Sequence, residues 1–212
     1  MGKEFLPVFD EWAITYDRTV QGGENEYSAF FENYEEILTA VAEKAQDGVL
    51  EFGVGTGNLT IKLLDRGLTV IGVDPSPAMR AQASKKLSQA VIVDGDFDRY
   101  EEPIIKINSI VSTYAFHHLT AESKKIALAK FKHTLSPDGN IVFADVLFEN
   151  EAAYQQAIND AQEQQHLNVV RDLTEEYYET LASMTSIFED SGFKATFTQK
   201  NQYVWLLEAV HA

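Results

Sequence analysis

Three glycines, at positions 53, 55 and 57, follow a short apolar run in Val49-Leu50-Glu51-Phe52-Gly53-Val54-Gly55-Thr56-Gly57-Asn58. A glycine loop at the start of a helix lets a ligand come close to the backbone. A dinucleotide-binding loop would need its third glycine at position 58, where this chain carries Asn58. Glu51 is awkward beside a pyrophosphate and comfortable beside a cation. S-adenosyl-L-methionine (SAM) has a sulfonium and an ammonium and no phosphate, so both details favour it over a nicotinamide dinucleotide. The competing reading is a tight β–α turn that needs Gly53, Gly55 and Gly57 for packing alone.

Two acids follow in order. Asp74 ends the apolar run Thr69–Val73 about 20 residues beyond the loop, where a carboxylate can accept hydrogen bonds from both hydroxyls of a ribose. It also precedes Pro75 and a helical stretch, so it suits a helix N-cap, and the two roles are compatible. Asp96, in Val93-Asp94-Gly95-Asp96-Phe97, can accept an adenine amino group while Phe97 lines the ring; acidic turns are also common in loops. Further on, His117-His118 offers a general base for an acceptor hydroxyl or amine, or a strand-end histidine satisfied by backbone groups. No HxxxH spacing or nearby cysteine supports a ligand set, so no metal is expected.

These residues need a scaffold that brings strand ends together. From residue 49 the chain alternates short apolar strands (Val49–Phe52, Leu68–Val73, Ala90–Val93, Ile107–Thr113, Asn140–Val146) with amphipathic helices (Asn58–Asp65, Pro77–Leu87, Thr120 to about Leu135). Such alternation implies a mostly parallel sheet covered on both faces. Residues 193–199 and 202–210 lie too close for a helical crossover and must pair as an antiparallel hairpin. The expected architecture is α/β and Rossmann-like, with seven strands, helices on both faces and that hairpin at the edge.

Helical stretches are expected at 149–165 and 174–190. Near the N-terminus Phe5, Phe9, Trp12 and Tyr16 recur at 4-3-4 spacing on one helical face, before a break at Gly22-Gly23. That helix reads either as a lid placing Tyr16 against the methionine end of SAM or as an ordinary buried stripe. A second helix carries Phe30, Tyr34, Ile37, Leu38 and Val41.

With the order of motifs laid out, residues 45–146 resemble the class I SAM-dependent methyltransferases. The resemblance adds Ser112-Thr113-Tyr114-Ala115-Phe116-His117-His118-Leu119 and Leu135-Ser136-Pro137-Asp138-Gly139 to the elements above. It implies that the glycine loop holds the methionine part of SAM, Asp74 the ribose and Asp96 the adenine, with the segment containing Thr113 running under the methyl donor. Over its whole length the chain is similar to the YrrT-like methyltransferases of the Bacillus group, through Phe9-Asp10-Glu11-Trp12-Ala13, Tyr16-Asp17 and Phe143-Ala144-Asp145. That set supplies no acceptor.

Taken together, one methyltransferase domain is expected over 1–212: a helical lid (1–28), a SAM-binding core (45–146), a helical substrate cover (147–190) and a hairpin (191–212). Net charge −16, from 33 acidic and 17 basic residues, disfavours nucleic acid and anionic lipid. A small-molecule acceptor is expected. The absence of cysteine excludes thiolate chemistry. No apolar run is long enough to span a bilayer, and the first residues lack a signal-peptide pattern, so a cytoplasmic location is expected. The alternatives are a SAM-binding protein without catalysis and a nucleotide-dependent oxidoreductase.

Overall fold

The computed structural model describes residues 6–23, 25–87 and 90–212, with side chains described from Trp12 onward. Phe5 and the side chain of Phe9 lie outside that set. Strands β1 (Val49–Phe52), β2 (Val70–Asp74), β3 (Val91–Asp94), β4 (Ile107–Thr113), β5 (Leu135–Phe148), β7 (Phe193–Gln199) and β8 (Val204–His211) form one sheet in the order β3-β2-β1-β4-β5-β8-β7. The first five are mutually parallel, while β8 runs antiparallel to β5 and β7. The seven strands and the edge hairpin are those read from the sequence. A two-residue strand, β6 (Glu179–Thr180), adds to the end of β5.

Alternating side chains build two cores. From β1, Val49 points to a layer with Leu38 and Val41 of α2 (Tyr34–Lys44) and Leu63 of α3 (Asn58–Asp65). Leu50 and Phe52 point to the opposite layer, against Phe131 of α5 (Ala121–Thr134) and Phe188 of α8 (Leu181–Asp190). All four residues of β1 are buried, as a central parallel strand covered on both faces requires. Helix α4 (Pro77–Lys86) starts with Ser76 accepting the Met79 amide at 3.2 Å, with Pro at its first position. Helix α1 (Leu6–Arg18) ends in a wider turn over Thr19–Gly23, where Gly22 at φ +87° breaks it at the expected place. Among the described residues no helix is long and apolar enough to cross a membrane.

Ser136–Gly139 form an irregularity within β5: Leu135 pairs with Ile107, and regular pairing resumes at Asn140 opposite Ser109. One local expectation needs correction. The helix expected over 174–190 is two helices. After α6 (Glu151–Glu163), α7 (Leu167–Glu175) stops, the chain runs extended through β6, and Thr180 caps α8 by accepting the Ser183 amide. Tertiary bonds hold that interruption open. The Tyr177 amide donates to the His117 carbonyl at 3.1 Å, and Lys124 donates to the Tyr177 carbonyl at 2.6 Å.

Candidate active site

The C-terminal ends of β1, β2 and β4 converge on a cleft that α1 and α7 cover, with about 1190 Å³ of atom-free space including its open mouth. That position agrees with the general placement of ligands at strand ends in open α/β sheets. One side of the cleft is made by Gly53, Gly55, Asp74, Met79 and Thr113, the other by His117, His118, Glu176 and Tyr178, and Trp12, Tyr16, Tyr27 and Tyr114 also line it.

Asp74 organises the first side. One carboxylate oxygen accepts the Gly55 amide at 2.8 Å and the other accepts the Ser76 amide at 2.8 Å, so a single side chain ties the glycine loop to the end of β2. Burial pushes its pKa up to about 6, with the two amides pulling against it. A Cβ on Gly55 would meet nothing closer than the Gly53 carbonyl at 4.0 Å, so the space beside this backbone is open. Below the loop, Glu51 is 1% exposed and accepts the Thr60 hydroxyl at 2.7 Å; burial, offset in part by that bond, pushes it up to about 8.

Helix α1 is fastened over this loop. Asp17 accepts the Thr56 hydroxyl at 2.6 Å and the Asn58 amide at 3.1 Å, and pairs with Lys86 at 2.5 Å. Asn58, the residue that departs from the dinucleotide pattern, thus closes the N-terminal helix onto the loop.

The second side is a buried polar cluster. His117 and His118 form a short helical turn after Tyr114, which sits at φ +52°, in the left-handed region that a bulky residue rarely occupies. His117 Nδ1 lies 2.5 Å from one Asp145 oxygen, and the other accepts the His117 amide at 3.0 Å. Its Nε2 is 3.3 Å from Glu176, whose other oxygen is 3.4 Å from His118 Nδ1. The Tyr178 hydroxyl donates to Glu176 at 2.5 Å, and its ring stacks on His117 with centroids 4.9 Å apart. Burial opposes charge on His117, but the Asp145 and Glu176 carboxylates outweigh it and raise its pKa. Burial likewise disfavours the Glu176 carboxylate, yet its hydrogen bond with His118 and the charges of both histidines bring it down to about 2.

Residues 49–139 match the family model described as a methyltransferase domain. Over 99% of both chains, the protein is 53% identical to an uncharacterized methyltransferase of Geobacillus sp. (strain WCH70) and 51% identical to the uncharacterized methyltransferase YrrT of Bacillus subtilis (strain 168). The chain belongs to this methyltransferase family. The fold of the methyltransferase is shared with the DhpI–SAH complex (TM-score 0.71, 16% identity, 98% of this chain and 95% of that one). It is also shared with the magnesium protoporphyrin IX methyltransferase of Synechocystis PCC 6803 with bound SAH (TM-score 0.68, 15% identity, 97% and 99%).

Of the residues singled out from the sequence, the methyltransferase brings Tyr16, Gly53, Gly55, Asp74, Thr113 and His117 to the cleft. Four others do not line it, and the first is Glu51, buried below the loop. Gly57, at φ +91°, precedes α3 and packs so closely that a Cβ would fall 2.6 Å from Leu87 Cδ1, so this glycine serves packing. Phe97 does not line the cleft as expected: it is 1% exposed and stacks on Phe52 inside the core, where apolar area is best removed from water. Asp96 accepts the Arg99 amide at 2.8 Å, closing its own turn. The sequence reading missed Met79, Tyr114, Glu176 and Tyr178. Tyr114 stood inside a quoted motif, but Glu176 and Tyr178 were hidden in what read as an uninterrupted helix.

Proposed function

We propose that this chain is a cytoplasmic enzyme that transfers a methyl group from S-adenosyl-L-methionine to a small-molecule acceptor, releasing S-adenosylhomocysteine. The observation that carries the reading is the two-sided cleft: an open backbone face at Gly55, together with Gly53 and the Asp74 carboxylate, on one side, and a polar cluster around His117 on the other. The cofactor fits the first side, because the space that a Cβ of Gly55 would occupy is free and Asp74 presents an acceptor to hydroxyl donors. Gly53 and Gly55 would hold the methionine part and Asp74 the ribose, with Tyr16 and Thr113 beside the methionine end. When bound, SAM supplies a methyl group already activated by its sulfonium.

The remaining work falls to the chain. Aligning two reactants contributes about 7–11 kcal/mol, more than a general base typically does. The described residues of the N-terminal segment, 6–23 and 25–28, and residues 147–190 cover the cleft, exclude water and fix the acceptor; Trp12 and Tyr27 from the first and Tyr178 from the second stand on its wall. His117 faces the acceptor, but both its ring nitrogens lie within reach of carboxylates, so its part is to position rather than to abstract a proton freely. A small acceptor is supported over nucleic acid by the lining: among the described residues Arg171 is its only Lys or Arg, and Asp172 neutralises it at 3.0 Å.

Calorimetric titration with SAM, S-adenosylhomocysteine and NAD tests the reading. Binding of the first two and not the third supports it. Binding of NAD alone overturns it, and SAM binding without turnover on any acceptor leaves a binding protein instead.

A further inference from the structure

We propose that His117 Nε2, His118 Nδ1 and the Glu176 carboxylate form a binding site for one divalent first-row transition-metal ion, open toward the acceptor side of the cleft. Nothing in the sequence placed a carboxylate beside the two histidines; the interruption between α7 and α8 does so. Among the described residues these three are brought together with one ligand atom each, all within 4.8 Å of one another.

Spacing is the first argument. Two donors each about 2.1 Å from a tetrahedrally coordinated ion lie about 3.4 Å apart. The separations are 3.3 Å between His117 Nε2 and one Glu176 oxygen and 3.4 Å between His118 Nδ1 and the other, so the carboxylate spans the two nitrogens. Both are longer than a strong charge-assisted hydrogen bond, about 2.7–2.9 Å. The same imidazole makes such a bond on its other edge, where Nδ1 stands 2.5 Å from Asp145. One edge of His117 is therefore closed by contact while the other is held at ligand distance.

Outer-sphere chemistry is the second. Metal-binding histidines commonly donate their far N–H to a carboxylate, which fixes the tautomer and leaves the other nitrogen free to ligate. Asp145 does this for His117. Tyr178 orients the Glu176 carboxylate by donating to it at 2.5 Å. Charge is the third argument. Asp145 and Glu176 face two histidines in a buried pocket, and the nearest buried ammonium, Lys124, is already paired with Glu179 at 3.0 Å. Opposite these two carboxylates a divalent cation would take the charge-balancing place of a proton on the imidazoles.

Nitrogen and carboxylate donors without sulfur suit zinc, iron, cobalt or manganese, and three protein ligands leave a position for a further oxygen or nitrogen donor. That position faces the cleft, where an acceptor with an ionisable oxygen would bind the ion and hold its proton less tightly. This last role rests on the proposed methyl transfer; occupancy of the site does not, and occupancy is what the test reads.

Chelator-treated, tag-free protein titrated calorimetrically with Zn²⁺, and separately with Co²⁺ followed by visible absorption, should take up one ion per chain. His118→Ala and Glu176→Gln should weaken that binding at least tenfold, Asp145→Asn about 10–100-fold, and His133→Ala, on the surface of α5, not at all. Glu176→Gln is nearly isosteric, and circular dichroism of each variant checks that it folds. SAM affinity measured on the same samples separates this question from the cofactor assignment. No uptake, or uptake that His118→Ala and Glu176→Gln leave unchanged, overturns the proposal.

Discussion

Asp145 holds His117 at two points, accepting its backbone amide at 3.0 Å with one carboxylate oxygen and meeting its Nδ1 at 2.5 Å with the other. The acid comes from β5 and the histidine from the turn after β4, so one side chain joins two neighbouring strands at the edge of the cleft. Asp145→Asn keeps an acceptor for the amide and loses the charge against a buried imidazole. The variant should lose about 2–3 kcal/mol in urea unfolding. Because Asp145 does not itself line the cleft, SAM affinity should stay within about threefold of the parent. Loss of SAM binding in the folded variant would show that the two sides of the cleft are not independent.

The pH dependence of SAM binding follows from Asp74. Burial places its pKa at about 6 in the free protein, and hydrogen-bond donors of a ribose favour the ionised form. Affinity should therefore be flat above about pH 7 and weaken as pH falls through 6. Asp74→Asn should bind SAM at least tenfold more weakly at pH 8 and abolish that pH dependence. Calorimetry at four pH values decides it; a parent profile that is flat down to pH 5 would remove the ribose role.

Gly55 and Gly57 should respond to alanine in opposite ways. Both have positive φ, which costs an L residue about 1–2 kcal/mol. At Gly55 the new methyl meets open space, so Gly55→Ala should fold with about that loss while SAM affinity falls more than tenfold. At Gly57 the methyl strikes Leu87 and Ala83, and the loss of stability should reach about 3 kcal/mol. Thermal unfolding with and without SAM separates a glycine needed by the ligand from one needed by the packing.

Lys124 is fully buried, yet it carries an ammonium bonded to the Tyr177 carbonyl and to Glu179. Lys124→Met preserves volume and leaves Glu179 with the Ser183 hydroxyl as its remaining partner. Removing one member of a buried pair typically costs about 3–5 kcal/mol. The denaturation midpoint should drop accordingly, and hydrogen exchange should rise first at residues 176–180. Unchanged exchange there would show that the segment is held by other contacts.

The sheet was legible because its signals are local: β1, β4 and α3 fall on the residues that their apolar runs and glycines delimit. The first side of the cleft was legible for the same reason, since Gly53, Gly55 and Asp74 sit at strand ends that the alternation itself defines. The second side was not. Thr174–Asp190 has helical propensity throughout, and what breaks it is a set of long-range bonds from Lys124 and His117 to Tyr177 that no window of sequence contains. Phe97 failed for a related reason. Its position after Asp96 suggested a ring beside a ligand, whereas the large apolar area of phenylalanine found a place among Phe52, Phe116 and Phe131.

The interruption between α7 and α8 also bears on how such a chain can diversify. The residues proposed to hold the cofactor all precede Tyr114, whereas Glu176 and Tyr178 arrive on a passage between β5 and the edge hairpin that is pinned underneath by Lys124. Residues 149–175 can therefore lengthen, shorten or change composition without disturbing strand order, so long as the chain returns to that pin. A lineage could keep its methyl donor and exchange its acceptors by rewriting one excursion of the backbone.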